Sequence, residues 1–118
     1  MHRRTLIMLV AAAAVVVPLS FAAQPTNRAT EPEIEMEDFS FRPARKVVRP
    51  GQVVIWKNRD RARHNATSVK RVSGRRVFRT ATKGFRGEMT AKAPRKAGRY
   101  PYFCTVHPQM RGTVVVRR

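Results

Sequence analysis

The sequence lacks a second cysteine, contains only three histidines and carries almost no acid after position 38. With Cys104 as its one cysteine, the chain has no internal disulfide. The thiol therefore needs another explanation: an intermolecular bridge, an inert buried thiol, a lipid anchor or a metal. A lipid-anchored cysteine would directly follow a leader peptide, whereas Cys104 lies near the carboxyl end. No long stretch after Glu33 shows a helical period, which argues against a helical fold.

The charge is strongly positive and unevenly distributed. Five of the seven acids lie between Glu31 and Asp38, and beyond them only Asp60 and Glu88 oppose twenty-two lysines and arginines. Self-repulsion at a formal net charge of +18 weakens the compact state, and a tight core and a bound metal would offset it. A basic cluster that could bind a polyanion comprises Arg59, Arg61, Arg63, Lys70, Arg71, Arg75, Arg76 and Arg79.

The first residues have the pattern of a secretory signal peptide. A short basic start is followed by an uncharged run that closes with small residues, and this pattern predicts a signal peptide over residues 1–22, cleaved after Ala22. An uncleaved membrane anchor is the alternative, since the apolar run is nearly long enough to span a bilayer. The adjacent Arg3 and Arg4 weakly resemble a twin-arginine leader. We therefore expect an exported protein, periplasmic or extracellular, or membrane-tethered if the leader remains.

The remainder has the size of one small domain. A polar tether is predicted over residues 23–32, followed by a domain over residues 33–118. Removing the leader lowers the formal net charge from +18 to +16. Short apolar runs alternate with turn residues, which is typical of an antiparallel β-sandwich. About seven strands are predicted, in residues 33–41, 46–49, 52–57, 75–80, 85–91, 99–105 and 112–117.

The segment from Tyr100 to Met110 contains three candidate metal ligands. The two-residue period of a strand places Tyr100, Tyr102 and Cys104 on one face, and a tight loop then supplies His107 and Met110. Thiolate and thioether ligands select copper over hard cations, and a His₂Cys plane with a weak axial Met is a blue-copper arrangement. The second histidine has to be His64, because His2 leaves with the leader.

Two separate motifs resemble the cupredoxin family. Residues 50–60 followed by His64 and Asn65 resemble the first ligand segment of plastocyanin-like and amicyanin-like cupredoxins. Residues 98–104 followed by His107 and Met110 are similar to the second segment, and the C-x-x-H-x-x-M spacing is similar to that of the amicyanin-like members.

The resemblance implies a Greek-key β-sandwich with copper near one end. His64, Cys104 and His107 would form the ligand plane and Met110 would cap it. Asn65 would join the two ligand loops through a hydrogen bond to Thr105 or its neighbourhood, which would fix ligand orientation. The edge of His107 would reach the surface as the electron port. The implied role is one-electron transfer rather than enzymatic catalysis.

Other interpretations stay open at this stage. A mononuclear zinc site is the rival metal centre, although zinc sites rarely recruit methionine. The function could instead be copper storage, delivery or resistance, or polyanion binding on a cupredoxin scaffold. We expect a monomer whose redox partner has an acidic docking surface, with anionic cell-surface polymers or lipid headgroups as further candidates. Nucleic acid is not expected for an exported chain that shows no aromatic-interleaved basic stripe.

Overall fold

The computed structural model describes residues 7–16 and 31–118. The predicted cleavage site after Ala22 and most of the predicted tether lie outside the described residues, so the leader and the domain boundaries stay predictions. Residues 7–16 form no helix or strand and are exposed. Within the two described ranges there is no helix of the length and apolarity that crossing a bilayer requires.

Residues 31–118 form ten strands and no helix, which confirms the predicted all-β sandwich. The number exceeds the seven expected because the predicted strand over residues 33–41 is divided into two, and two unpredicted strands of two residues each are present, Thr67–Ser68 and Arg71–Val72. Only Arg75–Arg76 of the predicted strand over residues 75–80 is extended in a ladder. The strands are β1 (Glu33–Glu37), β2 (Ser40–Arg42), β3 (Arg45–Val48), β4 (Val53–Asn58), β5 (Thr67–Ser68), β6 (Arg71–Val72), β7 (Arg75–Arg76), β8 (Glu88–Lys92), β9 (Gly98–Phe103) and β10 (Arg111–Val116).

The strands form two four-stranded sheets and one small hairpin. The first sheet has the order β2-β1-β4-β8 and the second β3-β10-β9-β5, while β6 and β7 pair with each other. Two pairs, β1 with β4 and β3 with β10, run parallel, and the other pairs run antiparallel. β9, the strand that ends just before Cys104, lies between β10 and β5 in the second sheet.

The core lies between the two sheets. Tyr102 of β9 packs edge-to-face against Trp56 of β4 and Phe41 of β2, with ring centroids 5.7 and 4.6 Å apart. Trp56 and Tyr102 are almost fully buried. Burial of a large apolar side chain stabilises the fold by roughly 1.5–3 kcal/mol, so this aromatic group holds the sheets together. Beside Tyr102 only glycine fits at Gly112, because a Cβ there would lie 2.5 Å from the tyrosine Cζ and Oη.

Two turns differ in how clearly the sequence signals them. Pro50-Gly51, a pair typical of turns, forms one in which Gly51 has φ +71° and the Gln52 amide donates to the Arg49 carbonyl. The turn at Asp38-Phe39, which divides the predicted strand over residues 33–41, has no such signal. Both residues adopt positive φ, 52° and 56°, although an aromatic residue rarely does so.

The loops that contain the predicted ligands meet at one end of the sandwich. Cys104 follows β9, Met110 precedes β10, and these two strands are antiparallel neighbours. His64 lies in the long connection between β4 and β5, and β5 pairs with β9. The sheet register therefore brings residues forty positions apart to the same place.

Candidate metal centre

The loop from Cys104 to Met110 is closed by its own backbone. The Cys104 amide donates to the Met110 carbonyl at 3.1 Å, and the Met110 amide donates to the His107 carbonyl at 2.9 Å. Cys104 and Met110 are buried, with exposed fractions of 0 % and 1 %, while His107 is half-buried. The loop thus presents a buried thiol, a buried thioether residue and an imidazole that reaches toward the surface.

His64 is positioned by a second, independently fixed loop. Its backbone exchanges two hydrogen bonds with Lys83, of 3.0 and 3.1 Å, in an isolated β-bridge. The buried Asn58 shapes the bend before it: the carboxamide nitrogen donates to the carbonyls of Ala62 and Lys83, and its oxygen accepts from the Asp60 amide. His64 is fully buried as a result.

Three of the predicted ligand side chains converge. The Cys104 Sγ lies 3.9 Å from the Nδ1 atoms of both His64 and His107, and the two Nδ1 atoms are 3.2 Å apart. With metal–donor lengths of roughly 2.0 Å for nitrogen and 2.3 Å for sulfur, three donors in a plane around one ion stand about 3.5–3.8 Å apart. The observed separations bracket that spacing, so the triangle has the size that a single transition-metal ion requires.

A carboxylate that the sequence analysis did not single out sets the orientation of His64. The His64 Nε2 lies 2.8 Å from the Asp60 Oδ2, and Asp60 is only 12 % exposed. When Nε2 carries the ring proton and donates a hydrogen bond to Asp60, Nδ1 is unprotonated. Its lone pair then faces the thiol, as metal ligation requires. Asp60 could have been found as the only acid between residues 39 and 87, four positions before the histidine.

Asp60 also accepts hydrogen bonds from the left-handed turn. The amides of Asp38 and Phe39 each donate to one of its carboxylate oxygens at 2.9 Å. Burial acts to raise the pKa of Asp60, but the bonds from Phe39, His64 and Asp38 outweigh it and leave that pKa below its ordinary value. The carboxylate therefore stays ionised and holds the turn and the imidazole together.

The same turn places an aromatic ring against both histidines. Phe39 meets the His107 and His64 rings edge-on, with centroid distances of 4.9 and 5.3 Å. In the sequence, Phe39 is predicted only as part of the strand over residues 33–41, and no local signal marks it as a site residue. Its positive φ costs energy, and the two amide bonds to Asp60 offset that cost. Phe39 is 46 % exposed, so it forms part of the outer edge of the site.

Asn65 connects the His64 loop to the Cys104 loop. Its carboxamide nitrogen donates to the Thr105 and Thr82 hydroxyls at 2.7 and 3.0 Å. Its oxygen accepts from the Thr105 amide at 3.1 Å and from the Thr67 hydroxyl at 3.0 Å. The structure thus contains a bond between Asn65 and Thr105, and both polar atoms of the carboxamide take part.

Beneath the site, Tyr102 contributes packing rather than a titrating group. Burial raises the pKa of Tyr102 well above its ordinary value, and the Trp56 indole opposes only part of this rise. The hydroxyl therefore remains protonated. Among the described residues, its oxygen and the Trp56 Nε1 are the buried side-chain polar atoms without a hydrogen bond of normal geometry.

The chain is similar to known proteins of one family. A family model described as a cupredoxin-like domain matches residues 6–116. Amicyanin from Paracoccus versutus is 33 % identical over 89 residues, which cover 70 % of this chain and 62 % of that protein. Amicyanin from Paracoccus denitrificans is 37 % identical over 75 residues, or 58 % and 52 % of the two chains. The match thus covers less than two thirds of the length of each of these curated relatives.

Solved amicyanin structures have a similar fold. A variant in its reduced Cu(I) form superposes with a TM-score of 0.66 at 28 % identity, over 75 % of this chain and 83 % of that one. A second variant, also in a Cu(I) form, gives 0.65 at 30 % identity over 74 % and 82 %.

Proposed function

The chain belongs to the cupredoxin-like family, and we propose that it is an exported protein that binds one copper ion and carries single electrons between redox partners. The solved relatives to which it is similar include Cu(I) forms of amicyanin. In this chain, His64, Cys104 and His107 would hold the ion in one plane and Met110 would cap it. The role is that of a carrier rather than an enzyme.

The observation that carries the proposal is the convergence of the Cys104 Sγ with the Nδ1 atoms of His64 and His107, at 3.9, 3.9 and 3.2 Å. Had His64 lain far from the thiol, the proposal would have failed. A thiolate with two imidazoles suits both zinc and copper, and the buried Met110 at the end of the same loop favours copper.

The surrounding residues suit a centre that changes charge with little movement. When bound, copper would supply a one-electron couple. Asp60 fixes the ring of His64, and Asn65 joins the two ligand loops through two hydrogen bonds to Thr105. Donors held from both sides need little reorganisation when an electron arrives or leaves. His107 is the half-buried member of the triangle, so electrons would enter and leave along its edge, beside Phe39.

Charge and the leader pattern support the rest of the proposal. Since only Asp60 and Glu88 carry negative charge after position 38, a redox partner with an acidic surface would be steered toward this protein. The uncharged run after Arg4 supports export to the periplasm or the extracellular space. Amino-terminal sequencing of the exported protein tests the leader and should give Ala23 as the first residue.

The decisive experiment is to load the protein with Cu(II) and record its visible and EPR spectra. We expect an intense thiolate-to-copper band that is bleached by one electron and restored by oxidation. Cys104→Ser should abolish the band. Met110→Leu should keep the band but shift the reduction potential, while Met89→Leu, which removes another buried thioether in β8, should leave the potential unchanged.

Two results would overturn the proposal. A copper-loaded protein without the band that passes its ion to an acceptor would be a copper-handling protein instead. A protein that prefers Zn²⁺ and never becomes coloured would show that the site is not a redox centre.

A further inference from the structure

A groove lined by arginines lies beside the candidate metal centre. It has a volume of about 420 Å³ and is lined by Arg71, Arg75, Arg76 and Arg79 together with Thr67 and Thr105. A second groove of about 350 Å³ continues from it, since both include Arg79 and Thr105. The second groove is also lined by Asn65, Thr80, Ala81 and Thr82. Together they form one concave surface lined mainly by arginine and threonine residues.

The arginines are brought together at an electrostatic cost. Arg71 and Arg76 are directly opposite in the β6–β7 ladder, where like charges destabilise a strand pair. The hairpin has only two residues in each strand, so it has little pairing energy to spare. The sequence from residue 61 to residue 87 contains no aspartate or glutamate that could neutralise them.

Two of the guanidinium groups are nevertheless held in place. The Arg76 Nη1 donates to the carbonyls of Ser68 and Val69 at 3.1 and 3.2 Å, and its guanidinium lies 5.5 Å from the centre of the Phe103 ring. The Arg71 Nη1 donates to the Gly74 carbonyl at 3.2 Å. A guanidinium has five N–H donors, so most of them remain for a ligand. Fixed guanidinium groups bind carboxylates in bidentate pairs and lose little entropy on doing so.

We propose that this arginine groove is the docking site for an acidic, carboxylate-rich segment of a partner protein. A concave surface with four arginines in its lining fits a peptide segment better than a flat lipid surface. Thr105 and Phe103 flank Cys104 in the chain, so a bound segment lies alongside the metal-site loop. That the partner exchanges electrons rests on the proposed function. The binding of an acidic segment does not, because the groove is built without the ligand side chains.

The test is a fluorescence-anisotropy titration of a labelled hexaglutamate peptide at one fixed salt concentration. The test variant is R75Q/R79Q, since both side chains are exposed. The control is R95Q/R99Q, which removes the same charge from two exposed arginines in and after the β8–β9 loop. We expect the test variant to bind about five- to tenfold more weakly and the control less than twofold more weakly. The peptide affinity of R75K/R79K should lie between those of the test variant and the control if the planar guanidinium group contributes bidentate hydrogen bonds.

Equal losses in the test variant and the control would overturn the inference, because net charge alone would then explain binding. Stronger groove dependence for phosphatidylglycerol vesicles than for the peptide would also overturn it, in favour of a membrane surface. The titration is repeated on copper-loaded protein and on Cys104→Ser. Groove-dependent binding in Cys104→Ser would uphold the groove even if the blue-copper band never appears. A blue, redox-active protein whose peptide affinity does not depend on the groove arginines would support the proposed function and overturn the groove inference.

Discussion

The metal-site loops and the β6–β7 hairpin differ in whether their polar and charged groups find partners of opposite character within the domain. At the metal site, Asp60 accepts three hydrogen bonds and Asn65 takes part in four. In the hairpin, Arg71 faces Arg76 and no acid lies in the surrounding sequence. The first region satisfies its polar groups internally and is fixed, whereas the second leaves its charges for something outside the domain. The comparison suggests that the site is built to stay still and the hairpin to bind.

The largest effect is expected at Asn65. Asn65→Ala removes four hydrogen bonds and leaves the Thr67 hydroxyl and the Thr105 amide without this partner. At about 1 kcal/mol each, the copper-free protein should lose about 2–4 kcal/mol of unfolding free energy in a urea titration. Val72→Ala in the hairpin, where the side chain is exposed, should cost less than about 0.5 kcal/mol. Similar losses in the two variants would contradict the contrast.

Two glycines provide the next comparison. Gly112→Ala places a Cβ 2.5 Å from the Tyr102 ring and should cost about 1–3 kcal/mol through overpacking, measured by thermal or urea unfolding. Gly74→Ala in the hairpin meets no atom within 4 Å and bears only the penalty of φ +76°, about 1 kcal/mol. If Tyr102→Phe fails to relieve any of the Gly112→Ala loss, the clash with the hydroxyl is not its cause.

Asp60 should affect the metal more than the fold. Asp60→Asn keeps the size of the side chain but replaces one accepting oxygen, so it cannot accept from His64 and both turn amides as the carboxylate does. Loss of such a supporting bond typically lowers metal affinity by about 10- to 100-fold, which a competition titration with a copper chelator measures. Asp38→Asn, an exposed neighbour, serves as the control and should change affinity less than twofold. Equal copper affinities for the two variants would show that Asp60 does not support the metal site.

The smallest effect is expected in the hairpin and has the opposite sign. Arg71→Glu replaces a like-charged pair with an opposite one across from Arg76 and should raise the unfolding free energy by about 0.2–1 kcal/mol. The gain should shrink in 1 M salt, where exposed charges are screened. Arg99→Glu, opposite Val115, controls for the change in net charge. A loss of stability in Arg71→Glu would show that the arginine pair is not strained.

Most of the strands could be predicted because their residues follow simple patterns. The runs around Val53–Asn58 and Arg111–Val116 are rich in β-branched residues and are bounded by turn residues, so their predicted limits differ from the structure by one residue. The hairpin at Asp38-Phe39 could not be predicted, since its left-handed turn depends on a carboxylate more than twenty residues away. The role of Phe39 could not be predicted for the same reason, whereas Asp60 lies only four positions before His64 and was open to prediction.

By itself, the sequence determined the kinds of donor atom, the spacing of Cys104, His107 and Met110, and the identity of the one remaining histidine. These are local properties, or properties of composition, and no fold is needed to read them. Only the tertiary structure decided that His64 lies 3.9 Å from the thiol, that Asp60 orients its ring, and that four arginines share a groove. The first depends on contacts between segments forty residues apart, which sheet pairing fixes. The other two join residues that are close in the sequence, but which side chains meet depends on how the bend before His64 and the β6–β7 hairpin fold.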